Sequence, residues 1–348
     1  MQHFHTVVIG GGPGGLACAT KLAETGTDVL LVERKPRLGA KVCAGGITWS
    51  GLGSKLPPEL VERSFTSQKV YSRWQKIKIG TATPIISTVN RQTLGQSMAG
   101  TAAAAGVTIL PGTRVLAIGD RHVETTAGSF GYRYLVGADG SNSLVRRFLG
   151  IPTQQLGVGI NCQVDSIFQE MEWHLNPRLF HSGYAWIFPH RHTASVGAYV
   201  SRQSMSASTL LENFHKWCQQ RRIDLNGCRP RAAVINYDYR GWRFDNRFLV
   251  GDAAGLASGL TGEGIYPAIV SGETVARAIA NPAATTDKLD RITARHRRHR
   301  RLLDFASRGR LAGSLATEAL LLGLRSGLIP CDCLEMGADR PTATANGP

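Results

Sequence analysis

The chain is predicted to be an α/β protein: a Rossmann-type dinucleotide-binding domain, an inserted antiparallel sheet and C-terminal helices. Three observations carry the prediction. The apolar run Val7-Val8-Ile9 leads directly into Gly10-Gly11-Gly12-Pro13-Gly14-Gly15 and then into an alanine-rich helical stretch ending near Glu24. Alternating, aromatic-rich runs fill the middle of the chain, which is the period of half-buried antiparallel strands. Leucine- and arginine-rich helical stretches follow from residue 286. At 348 residues and 43% hydrophobic content, the chain can bury a large core.

The elements justify themselves in order. Gly-x-Gly-x-x-Gly falls on Gly10, Gly12 and Gly15, with Gly14 in the same turn, so bare backbone N–H groups and a helix N-terminus face a pyrophosphate. The strand at 29–32 ends in Glu33-Arg34, where the carboxylate can accept from a ribose. Arg91 precedes a helix at 93–105, a strand follows at 107–110, and a further strand runs into Asp139-Gly140. The apolar Phe248-Leu249-Val250 then reaches Gly251-Asp252 and a glycine-rich loop containing Gly262 and Gly264. From Gly264-Ile265 to residue 276 the pattern is helical. The first domain is thus discontinuous, 1–156 and 245–285, with about 46–89 partly on the substrate side. Residues 157–244 form the substrate domain, 286–330 the C-terminal helices and 331–348 a flexible tail.

The first glycine cluster alone does not distinguish NAD from FAD, but the later ones do. The glycines after Asp252 let backbone approach a flat ring and a ribityl chain. The helix beginning at Gly264-Ile265 would aim its positive end at the ring and stabilise the anion of a reduced flavin. Asp252 is therefore assigned to ribityl hydroxyls, the competing role being a helix cap. Arg91 and Asp139 are assigned to the same cofactor, FAD.

Composition excludes several classes. The cysteines at 18, 43, 162, 218, 228, 331 and 333 include no Cys-x-x-Cys pair, which argues against a zinc ribbon or a dithiol; no metal is expected, and most thiols are expected reduced and structural. The N-terminus has no charged-then-apolar leader, which predicts a cytosolic protein. The net charge of +15 is concentrated in Arg295, Arg297, Arg298, Arg300 and Arg301, near His296 and His299. With the leucines that follow, this block predicts peripheral contact with an inner membrane surface; a solvated helix face is the alternative. The leucine-rich stretch is too short and interrupted to span a bilayer. No zinc, helix-turn-helix or RNA-binding signature accompanies the charge, so nucleic acid is not expected.

Tyr184 and Trp186 stand at i and i+2, so a strand would put both on one face, with Phe188 extending the row before Pro189. The row would line an apolar slot or fill a plain sheet core. Cys43 would serve as proton donor, shape the pocket or be an inert buried thiol. Arg146 and Arg147 would be surface charges or would attract a phosphate-bearing electron donor.

The order Gly-x-Gly-x-x-Gly, Arg91, Asp139-Gly140, Gly251-Asp252 resembles the single-fingerprint FAD family of aromatic hydroxylases, flavin halogenases and geranylgeranyl reductases, over most of residues 1–285. Two motifs resemble the geranylgeranyl reductases in particular: Lys41-Val42-Cys43-Ala44-Gly45-Gly46 and Gly183-Tyr184-Ala185-Trp186-Ile187-Phe188-Pro189. The chain departs from that pattern at Ala44, where glycine is usual, at His181 and at Gly95. The resemblance implies an FAD-dependent reductase of C=C bonds in a prenyl chain, with hydride from reduced flavin and a proton added to the neighbouring carbon. It places Cys43, Ala44 and Gly45 beside the flavin. Cys43, Tyr184 and Trp186 become the catalytic candidates, and Tyr184, Trp186, Phe188 and Pro189 the wall of the prenyl-lipid pocket. NAD(P)H or a small electron carrier would supply electrons. A flavin monooxygenase acting on a small apolar or aromatic substrate is the alternative, and a non-catalytic flavin-bound scaffold a third reading. A halogenase fits less well, because no Trp-x-Trp-x-Ile-Pro segment is present.

Overall fold

The computed structural model describes residues 1–52 and 56–337. In its first sheet, strand Gln2–Ile9 lies parallel to Val29–Glu33 on one side and to Gly128–Gly137 on the other. Thr108–Pro111 extends the sheet beyond Val29–Glu33, and Arg247–Leu249 extends it beyond Gly128–Gly137, both also parallel. Val7, Val8, Leu30 and Leu31 are wholly buried, so successive side chains on both sheet faces are apolar. That is the pattern of a parallel sheet covered by helices on each side.

Helix Pro13–Ala23 packs against helix Ile265–Ala280 at a pair of glycines. A methyl on Gly14 would fall 2.9 Å from the Ala268 carbonyl oxygen, and one on Gly272 would strike the carbonyl of Gly14. Their absence lets the two helices touch backbone to backbone.

The second sheet runs Arg231–Asn236, Leu156–Val164, Ala194–Ser201, Tyr184–Pro189, Met171–His174, Ser67–Tyr71, Lys76–Gly80. Its pairings are antiparallel except that of Met171–His174 with Ser67–Tyr71. Strand Tyr184–Pro189 divides by parity: Ala185 and Ile187 pack under helix Ala207–Arg221 with Phe214 and Trp217, whereas Tyr184, Trp186 and Phe188 cluster on the opposite face with Tyr199. Two of the seven strands come from residues 67–80, ahead of the segment 157–244. A third, small sheet of Gly46–Thr48, Ile86–Val89 and Val61–Phe65 joins the two halves.

Several expectations are corrected. Cys18, Cys43, Cys218 and Cys333 are free thiols, whereas Cys162 and Cys228, which the sequence did not single out as a pair, form a disulfide within the second sheet's core region. Arg146 is not a surface charge. Its side chain is 1% exposed, donates to the carbonyls of Pro152, Asp238 and Ala253, and lies 3.6 Å from the Asp238 carboxylate. Stranding either member of such a buried pair costs about 3–5 kcal/mol, so Arg146 is a structural cross-brace. Arg147 does stay at the surface, bonded to Asn142.

Asp287–Ala306 and Arg310–Arg325 are helices within the segment expected to be helical, but the arginine block does not form one outward surface. Arg295 turns inward and donates to the carbonyls of Asp332 (3.1 Å) and Glu335 (2.7 Å). His296 and His299 are buried, and burial pulls His296 down to about 4. Arg297, Arg298 and Arg301 face outward, while Arg300 lies 3.8 Å from Asp304. The predicted tail is docked at its start: Cys331–Leu334 forms a 3-10 turn and Met336 is buried in the first core. The rest of that predicted tail lies outside the described residues. No described helix is long and apolar enough to cross a membrane.

Candidate functional site

A single cavity of about 1010 Å³ runs from the glycine turn after the first strand to the aromatic face of the second sheet. Gly10, Gly12, Gly14, Glu33, Arg34, Arg91, Asp139, Gly251, Asp252, Gly262, Gly264 and Ile265 line one end. Cys43 and Ala44 lie on its wall, and Tyr184, Trp186 and Phe188 line the other part. Gly15, Gly45 and Pro189, expected on the wall, are not among the lining residues. Gly15 packs its bare Cα on the Gly10 carbonyl, Gly45 packs on the His190 ring, and the Pro189 carbonyl accepts from the Thr88 hydroxyl at 2.9 Å.

The cofactor end is built from open backbone. Gly10 has φ +110°, and a Cβ there would strike the Ala138 carbonyl. Gly12, at the N-cap of helix Pro13–Ala23, has no side-chain cap, and a Cβ there would meet nothing nearer than the Ala138 carbonyl oxygen at 4.0 Å. Gly264 likewise begins helix Ile265–Ala280 without a side-chain cap. Both helix N-termini therefore present unsatisfied N–H groups toward one cavity, a favourable setting for negative charge. Glu33 is held in place by the N–H groups of Gly11 (2.7 Å) and Lys35 (2.9 Å).

Two acidic residues behave differently from each other. The Asp139 carboxylate accepts from the Ser143 hydroxyl (2.6 Å) and the Leu144 N–H (2.5 Å), so it braces the turn beside the cavity. Burial nonetheless pushes its carboxyl upward, against those hydrogen bonds. Asp252 caps no helix. It meets Lys41 at 2.8 Å and accepts from Ser141 at 2.9 Å, with its side chain on the cavity wall. Lys41 is the partner that motif reading missed.

Arg91 tests whether FAD fits. It is buried, and its Nη1 has no hydrogen-bond partner among the described residues. Burial lowers its pKa, while Cys43 and Asp252 oppose that shift. A buried guanidinium left short of an acceptor beside an open glycine cradle is the complement of an anionic ligand. The residues present thus fit FAD.

The apolar part is denser in aromatics than the sequence row implied. Trp173 lies 5.0 Å from Tyr184 and 4.9 Å from Phe188, centroid to centroid. The row is therefore both packed core and cavity wall, with each aromatic pair worth about 0.5–1.5 kcal/mol beyond its burial. The Tyr184 hydroxyl donates to the Thr261 carbonyl, and burial raises its pKa well above the usual phenol range. Trp186 Nε1 donates to Ser195, which also accepts from Asn161. Farther along, Leu302, Phe305, Ala306, Ala316, Leu320 and Leu324 line the cavity together with Val70 and Ile79, and Leu324 packs in one cluster with those last two. Helix Arg310–Arg325 could not be placed there from sequence, because its apolar residues point both inward and outward.

Fold and site together define a flavin-nucleotide protein with one dinucleotide fingerprint and an adjoining apolar slot. Residues 3–306 match the family model for an FAD binding domain, and the chain belongs to that family as an FAD-dependent oxidoreductase. It is 29% identical over 330 residues to the digeranylgeranylglycerophospholipid reductase 2 of Methanothermobacter thermautotrophicus, covering 85% of this chain and 83% of that one. Among solved structures, it is similar to a geranylgeranyl bacteriochlorophyll reductase-like protein from Thermoplasma acidophilum, with a TM-score of 0.73 and 19% identity over 94% of this chain and 100% of the other. PqsL from Pseudomonas aeruginosa, described as a probable FAD-dependent monooxygenase, has a TM-score of 0.69 and 19% identity, covering 93% of this chain and 100% of that one. At that identity the structural likeness shows the fold.

Proposed function

We propose that this chain reduces C=C bonds of a prenyl chain. The observation that carries the reading is the continuity of the cavity: an anion-ready glycine cradle opens into an aromatic and aliphatic slot of lipid-like character. The reductase relative supports the substrate class. Gly10, Gly12, Gly14, Glu33 and Arg34 would hold the nucleotide, Arg91 its phosphates, and Asp252 the ribityl hydroxyls. Gly262, Gly264 and Ile265 would face the ring. When bound, FAD supplies the hydride equivalent. The chain's own part is to exclude water, to orient the alkene against Tyr184, Trp186 and Phe188, and to deliver one proton. Cys43 is the better proton candidate, since it is half-buried on the cavity wall and its Sγ accepts from the Gly45 N–H at 3.4 Å. The Tyr184 proton is committed to the Thr261 carbonyl. NAD(P)H or a small electron carrier would restore the reduced state.

The membrane contact belongs on helix Arg310–Arg325 rather than on the arginine block alone. Leu311, Leu315 and Leu322 are exposed there, with Trp74 nearby beneath Arg73. Exposed leucines and an aromatic among arginines suit an anionic lipid surface. The same helix lines the cavity with Ala316 and Leu320, so a lipid could enter beside it.

The test is mass spectrometry of prenyl lipids after anaerobic incubation with the dithionite-reduced protein, alongside aerobic samples given NAD(P)H. The expected product gains a hydrogen pair and no oxygen. Oxygen-dependent gain of one oxygen atom, without hydrogenated product, overturns the proposal in favour of a monooxygenase.

A further inference from the structure

Three consecutive carbonyls of the loop that carries Cys43 are each held by a different donor. Cys43 O accepts from Asn161 Nδ2 at 2.8 Å, Ala44 O from the ring of His190 at 3.0 Å, and Gly45 O from the Val89 N–H at 2.9 Å. His190 follows the aromatic strand directly, is buried, and is not among the cavity-lining residues. Its Nδ1 contacts the Glu62 carboxylate. Gly45, at φ +80°, packs so closely that a Cβ there would come within 2.6 Å of the His190 ring.

The proton count in this arrangement is constrained. A carbonyl only accepts, so His190 Nε2 must carry a hydrogen. A neutral ring would then turn the Nδ1 lone pair toward the carboxylate of Glu62. The contact requires one further proton, on Nδ1 or on Glu62. We infer that His190 and Glu62 are a positioning pair: Glu62 fixes the ring, and the ring's Nε2–H pins the Ala44 carbonyl, which keeps Cys43 and Ala44 on the cavity wall. The kinetic consequence rests on the reductase reading above; the structural one does not.

The test uses the full chain, with and without FAD, and the variants His190→Leu, His190→Gln and Glu62→Leu. Cys43 alkylation by iodoacetamide is followed by peptide mass spectrometry, and kcat and KM are measured anaerobically. His190→Leu should speed Cys43 labelling at least fivefold and lower kcat roughly ten- to a hundredfold at unchanged KM, the usual consequence of a slightly misplaced group. His190→Gln puts an amide donor near the Nε2 position and should restore both readouts toward wild type. Glu62→Leu leaves the donor but frees the ring, and should give intermediate labelling. Wild-type labelling in His190→Leu overturns the inference, as does a His190→Gln variant no better than His190→Leu, which would mean simple packing. If no prenyl compound is reduced by the wild type, the kinetic arm fails with the reductase reading while the labelling arm still decides.

Discussion

Replacing Arg91 by leucine removes a buried cation that has an unpartnered Nη1 and sits on the wall of the glycine cradle. In the FAD-free protein nothing is lost at that nitrogen, and the cost of burying the charge disappears. Stability without FAD should therefore hold or rise. With FAD, the missing charge-assisted hydrogen bond is worth about 1.5–3 kcal/mol, which weakens binding about tenfold to 150-fold. Fluorescence quenching during FAD titration gives Kd, and thermal unfolding of the FAD-free chain gives the control. Arg91→Lys keeps the charge without the planar fork and should fall between. An Arg91→Leu protein that binds FAD as tightly as wild type, or that unfolds readily without it, refutes the reasoning and makes Arg91 a structural residue.

Burial raises Glu263 to about 7 from 4.5, with Glu335 adding to the shift and the bonds from Met336 and Thr48 opposing it. The native state thus holds a proton that the unfolded chain releases, so the contribution is full below about pH 4.5 and is lost as pH rises through about 7. Relative to Glu263→Gln, wild-type stability should fall by up to about 3 kcal/mol across that window in denaturant titrations, and a flat difference excludes the buried-acid account. At the outer helix, Leu311→Glu with Leu315→Glu should cut co-sedimentation with anionic vesicles more than tenfold, since each buried leucine is worth about 1.5–3 kcal/mol. Wild-type sedimentation by that double variant would dismiss the leucine face.

What could be read from sequence was whatever depends on neighbours along the chain. The turn from Gly10 to Gly14, the strand ending in Glu33 and the parity of Tyr184, Trp186 and Phe188 are local patterns, and all three reappear at the cavity. Long-range partnerships were illegible. Nothing near Arg146 in sequence announces Asp238, and nothing near Arg295 announces the carbonyls of Asp332 and Glu335. The arginine block was read as one surface because a charge run carries no sign of which members turn inward, whereas helical periodicity puts His296 and His299 on the buried side. Cys162 and Cys228 are 66 residues apart, a separation no local motif spans. The partnerships of Lys41, quoted only as part of a motif, and of His190 were missed because their meaning lies in the groups opposite them, Asp252 and Ala44.

The glycine contact between helices Pro13–Ala23 and Ile265–Ala280 ties together two anion-facing helix starts that are some 250 residues apart in the chain. Side chains normally act as spacers whose wobble lets neighbouring helices shift independently. Here carbonyl and Cα abut with no spacer, so the two ends behave as one jaw with a preset gape. A single methyl at Gly272 would push both helix starts apart at once, although Gly272 is itself not among the cavity-lining residues.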